Sequence, residues 1–142
     1  MAHVRSAILC DFAQVREGLL FVSSGGITRI AAPGIGAPVT FHVAGELEVS
    51  PIEAGGTHEL TFKVTPVDSL DTVWEATLGI STSSSSDGLY PGESLHVPFA
   101  LPIGPFGITA FGPHDLKVSV DSSETELLTF YLLQMVGPED LA

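Results

Sequence analysis

Ser6 to Ile30 reads SAILCDFAQVREGLLFVSSGGITRI, and how this stretch is read decides the fold. Apolar runs from Ala7 to Val15 and from Leu19 to Val22 flank Glu17-Gly18. Gly25-Gly26 then supplies two positions where a positive φ costs little. The pattern predicts a strand, a tight turn, a second strand and a glycine corner. One rival stands beside it: with Asp11 as cap, Phe12, Val15 and Leu19 would share one face of a helical turn within Asp11 to Leu20.

Beyond the corner, Ala32 to Pro38 (APGIGAP) is a turn-rich connection. Phe41, Val43, Leu47 and Val49 then alternate with His42, Ala44, Glu46 and Glu48, the period-two pattern of a strand with one buried face. Gly45 suits a bulge or a close backbone approach. Pro51 to Gly56 (PIEAGG) reads as a hairpin loop returning into Leu60, Phe62 and Val64, and Trp74, Ala76, Leu78 and Ile80 make a third alternation. Ser81 to Gly88 (STSSSSDG) is too polar to repay its ordering cost and reads as an exposed loop. Leu95, Val97, Phe99 and Leu101 alternate around Pro98, which predicts an edge strand or an irregular one because proline donates nothing to a ladder. Pro102 to Pro113 is too punctuated for regular structure. Leu116, Val118 and Val120 lead through Asp121-Ser122-Ser123-Glu124 into Leu127 to Met135, a closing hairpin. Seven to nine short strands without a long helical period predict an all-β fold, an antiparallel β-sandwich or jelly-roll-like arrangement, as a single domain over residues 1–142.

Composition narrows the function classes. At 142 residues the chain can bury one real core. Its 17 acidic residues face only Arg5, Arg16, Arg29, Lys63 and Lys117, a formal net charge of −12 that repels phosphate backbones and anionic membranes. Only 15% of residues are charged, lean for a fully solvated surface, so some apolar surface is available for a partner. Cys10 stands alone in an apolar run and reads as a core residue. The first residues, MAHVRSAILCDF, lack a secretory h-region, and the uncharged Val97 to Pro113 holds Pro98, Pro102, Pro105 and Pro113, which break any spanning helix. The expected location is the cytoplasm, with a virion also compatible.

From Ala7 to Ile30, small apolar residues precede Asp-Phe-Ala, then Glu-Gly-Leu-Leu, then a Gly-Gly corner and Ile-Thr-Arg. This resembles an uncharacterised bacterial family, abundant in high-GC bacteria, whose members read "aDxA…eGkl.vlggG.tri". The resemblance continues through Thr57-His58-Glu59-Leu60, Tyr90-Pro91-Gly92 and His96-Val97-Pro98-Phe99. It implies a small β-sandwich and no reaction, and it defines no catalytic residue. Ser23-Ser24 departs from the family's Leu-Gly.

No spacing demands a particular chemistry. His42 and Glu46 share a strand face but lie about 13 Å apart along it, whereas two donors on one zinc lie within about 4 Å. His58 and Glu59 point to opposite faces, and His3, His96 and His114 have no ligand spacing. Asp68, Asp71 and Asp87 fall in loops, where calcium is one reading and self-bonded turn aspartates the other. Cys10 has no activating neighbour, no serine sits in a G-x-S-x-G elbow, and Gly34-Ile35-Gly36 lacks the third glycine of a dinucleotide site. No acid pair is singled out for glycoside hydrolysis. The expectation is therefore no catalytic residue, no metal and no cofactor.

The segment that most invites a function is Val97 to Pro113, in which Phe99, Leu101, Ile103, Phe106, Ile108 and Phe111 occur without a charge. Core packing is one reading. The other leaves Phe106, Ile108 and Phe111 as a candidate interface. The expected function is a non-enzymatic protein-association module, a homo-oligomer or an accessory or coat-type subunit, with no nucleic-acid or membrane partner. The alternative is a sandwich binding carbohydrate or calcium through the Asp68–Asp71 and Ser83–Asp87 loops.

Overall fold

The structure, a computed structural model, describes residues 2–53, 55–82 and 89–135. Among these residues nine strands run in chain order: β1 (His3–Arg16), β2 (Leu19–Gly25), β3 (Arg29–Ala32), β4 (Pro38–Val49), β5 (Thr57–Pro66), β6 (Trp74–Ser81), β7 (Leu95–Gly107), β8 (Gly112–Val120) and β9 (Ser123–Gln134). They form a four-stranded sheet, β2-β1-β4-β7, facing a five-stranded one, β3-β9-β8-β5-β6. The fold is the all-β sandwich that the alternations predict. Pairing is antiparallel except between β3 and β9, which are parallel.

The core lies between the sheets and is built from the inward halves of the alternations. Phe41, Val43, Leu47 and Val49 of β4 meet Leu60, Phe62 and Val64 of β5, Leu116 and Val118 of β8, and Phe130 and Leu132 of β9. Aromatic pairs tie the layers across the gap: Phe41 to Phe130 at 5.1 Å and Phe62 to Phe99 at 5.9 Å between ring centroids. Gly45 makes the close approach that the sequence suggests. A Cβ there would collide with the Phe99 ring and the Ser6 carbonyl oxygen. The register of β1 against β4 shifts between Val4 and Ser6 beside it.

Three expectations are corrected. Pro51 to Gly56 is not a hairpin loop: Pro51–Glu53 forms a short 3₁₀ turn, and the chain crosses from β4 in one sheet to β5 in the other. An alternating pattern shows which face is buried but not which strand lies alongside. Pro102 to Pro113 is irregular only over residues 108–111, because β7 continues through its prolines to Gly107 and β8 begins at Gly112. β7 borders only β4, so the side that proline cannot pair faces outward. Asp11 to Leu20 holds no helical turn, since β1 stays extended to Arg16 and pairs with β2 from Cys10↔Gly25 to Arg16↔Leu19.

Candidate association surface

The N-terminal hairpin is longer than the sheet that carries it. β1 pairs with β4 from His3↔Glu48 to Cys10↔His42, and beyond Cys10 its only strand partner among the described residues is β2. Glu17 (φ 52) and Gly18 (φ 76) form a two-residue turn with both φ positive, the type I′ geometry that suits twisted strands. At the far end Leu9 O accepts from Gly26 N (2.8 Å) and Ile27 N (3.0 Å), which anchors the glycine corner as the chain leaves for β3.

This overhang decides what is exposed. Phe12, Leu19 and Phe21 lie on one face of the hairpin by register, and they are 47%, 64% and 49% exposed. The Arg16 guanidinium sits 5.8 Å from the Phe21 ring centroid. Ile8, Val15 and Val22 are also exposed. Leu20 packs, with Ala100 of β7, against a small second cluster of Cys10, Ala13 and Ala44. Ala44 shares its β4 face with His42 and Glu46, so this cluster lies on the outer side of the four-stranded sheet. Cys10 is buried as expected, and burial followed by the nearby Asp11 carboxylate pushes its thiol pKa up.

The interface expected in the proline-rich segment is not an exposed one. Phe106 and Ile108 are buried in the main core, and Phe111 is half-buried against it. The physical reason is that β7 stays a strand: Phe99 and Ile103 follow its alternation inward, and a register shift against β4 between Val39 and Phe41 brings Phe106, three residues further on, to the same face. The apolar surface lies instead on the hairpin, where the sequence reading recognised the strands but not that β1 outruns β4. The turn spacing carries no signal for that; the overhang follows from which strand β1 pairs with.

Two polar constellations also come together. His58 is 5% exposed, and its Nδ1 lies 2.8 Å from Asp121 Oδ2 while its Nε2 faces Glu53 O at 3.4 Å. Asp121 Oδ1 accepts from Glu59 N at 2.9 Å. The Asp121 hydrogen bond raises the His58 pKa against the opposing effect of burial, and the bond from Glu59 N, then that from His58, lowers the Asp121 pKa. This latch joins β5, the β8–β9 turn and the 3₁₀ crossover. On the outer face, His3, Glu48 and His96 line up across β1, β4 and β7 by register. His3 Nε2 stands 2.9 Å from Glu48 Oε2, and His96 Nε2 is 3.3 Å from Glu48 Oε1. Sequence spacing hides this row because its members come from three strands. Among the described residues, no group of three or more His, Cys, Asp or Glu side chains has the arrangement of a metal site.

Of the loop residues expected to bind a ligand, Asp68 and Asp71 line one open pocket of about 510 Å³ with Ser69, Thr72 and Thr109. Ser83 to Asp87 lies outside the described residues. Tyr90 is exposed, whereas Trp74 packs partly against the core. Among the described residues no helix is long and apolar enough to cross a membrane.

These features define a two-layer β-sandwich with a protruding hairpin that holds exposed apolar side chains. Over residues 5–133 the chain matches a family of unknown function (DUF6941), and it belongs to that family. No curated protein matches it.

Proposed function

We propose that this protein is a non-enzymatic protein-association module and that the β1–β2 hairpin is its docking element. One observation carries the reading: the hairpin extends past β4 and holds Phe12, Leu19 and Phe21 exposed on one face. Contiguous exposed apolar side chains mark association surfaces, and holding them out in water is unfavourable unless a partner covers them. The test is the solution mass by light scattering across a concentration series, with binding of an apolar dye in parallel. Association predicts a mass above the 14.9 kDa of one chain, or dye binding that Leu19→Ser with Phe21→Ser abolishes. A monomer that binds no dye at any concentration contradicts the reading.

A second reading has its own observation, the shared pocket of Asp68 and Asp71. Its hydroxyls and carboxylates suit a sugar or a calcium ion. Calorimetric titration with calcium and with neutral oligosaccharides tests it, and no heat with either removes it.

A further inference from the structure

We propose that the partner is a second copy of this chain, and that β2 pairs antiparallel with β2 of that copy about a two-fold axis at Phe21, joining the two four-stranded sheets into one. This rests on the association reading above and names its occupant and geometry.

The backbone supplies the first argument. The residues flanking a two-residue turn form a hydrogen-bonded pair, so Arg16↔Leu19, Gln14↔Phe21 and Phe12↔Ser23 exchange their bonds with one another. Leu20 and Val22 alternate with these, and their N–H and C=O groups point away from β1. β2 is the sheet edge, so among the described residues no strand meets them. An antiparallel copy centred on Phe21 sets Leu20 opposite the partner's Val22 and Val22 opposite the partner's Leu20. Each exchanges both backbone bonds with the residue it faces. Phe21 then meets the partner's Phe21 as a non-hydrogen-bonded pair, the closer of the two pairings and a favourable one for aromatic rings.

The other edges supply the second. Natural sheets blunt their edges with proline, charge or shortness. β7 carries Pro98, Pro102 and Pro105, β3 is four residues long, and β6 turns Glu75 outward. β2, LLFVSSG, has no proline and no charge over seven residues. It is the edge left open.

Charge selects the occupant. A second copy brings its own −12, and no acidic residue occurs from Gly18 to Gly45, while Arg16 and Arg29 lie just outside the two ends of β2. In the two-fold register Glu17 falls opposite the partner's Gly25 and not opposite another acid. Along β2 two acidic bodies can approach without opposing carboxylates, and the other acid-free edge of the same sheet, β7, is the one blocked by prolines.

The experiment uses the full chain with two substitutions. Val22→Pro removes an outward N–H without removing a bond to β1, so the hairpin persists while pairing weakens at least about tenfold, read as a fall from dimer to monomer mass. Phe21→Cys places thiols across a close pair, and since Cys10 is buried they are the reactive ones. Mild oxidation should yield covalent dimer, while the equally exposed position Leu127→Cys, on the other sheet, should not. A dimer that persists in Val22→Pro, with Phe21→Cys oxidised no faster than Leu127→Cys, overturns the pairing and leaves the association reading standing. An intact chain that stays monomeric and does not cross-link overturns the pairing too, and dye binding then decides separately whether the hairpin still serves another protein.

Discussion

Two uncharged apolar stretches of this chain meet opposite fates. Val97 to Pro113 is the longer and carries more aromatic rings, and it ends in the core, with Phe99 and Phe106 buried between the sheets. Leu19 to Val22 is a third of its length or less, and all of it but Leu20 stands exposed on a hairpin that outruns its neighbour. Residue for residue Leu19 to Val22 is the more apolar of the two, so hydropathy alone would bury it first; what differs is which strand lies alongside and whether a second sheet covers the face. Exposure of apolar side chains is here a property of strand pairing.

The largest test of that contrast is a matched pair of truncations. Phe106→Ala opens a cavity in the core and should cost about 3–5 kcal/mol. Phe21→Ser, at concentrations where the chain is monomeric, should stay within about 0.5 kcal/mol. Denaturant unfolding followed by tryptophan fluorescence measures both, and equal costs would erase the distinction. Next comes Gly45→Ala. The added methyl meets the Phe99 ring and the Ser6 carbonyl, so overpacking should cost about 1–3 kcal/mol by the same assay. A neutral result would mean that β1 and β7 shift to admit it.

The latch gives a pH signature. The folded pKa of His58 is raised, so its stabilisation is fully present below the unfolded value near 6.5 and is lost as pH rises through the folded value. The folded pKa of Asp121 is lowered, so its contribution is present above about 4 and is lost as pH falls through the folded value. Stability from the pair is therefore greatest between about pH 4 and 6.5. Asp121→Asn keeps an acceptor for Glu59 N and tolerates the left-handed φ of 49°, yet removes the charge. It should cost on the order of 1 kcal/mol at pH 6 and flatten the decline above pH 6.5. An unchanged pH slope would show that the pair carries no charge coupling. The smallest effect belongs to the outer-face row: Glu48→Gln should change stability by less than about 1 kcal/mol, because its partners are solvent-accessible.

Much of the architecture was legible from the chain. The alternations around Phe41, Leu60, Trp74 and Leu116 marked real strands, and Glu17-Gly18 and Gly25-Gly26 marked the turn and corner. Pairing was not legible. Nothing local in PIEAGG separates a hairpin return from a crossover between sheets, and nothing in RIAA announces a parallel partner in β9. For the same reason the sequence left two readings open for Phe106 and Ile108, core or interface, and both are buried. Prolines in β7 suggested irregularity, but an edge strand accommodates them wherever its outward side needs no donor. The exposed hairpin follows from the fourteen-residue length of β1 against a β4 pairing that stops at Cys10, a relation between strands and not within one.

Amide hydrogen exchange at Leu20 and Val22, followed as a function of protein concentration, addresses the β2 edge most directly. Their N–H groups point away from β1, so in dilute solution they should exchange rapidly and, as concentration rises, become protected together with the appearance of dimer mass. The amides of Leu19 and Phe21, bonded to β1, should change far less. Concentration-independent exchange at Leu20 and Val22 alongside a growing oligomer mass would contradict the account, because association would then close some other surface.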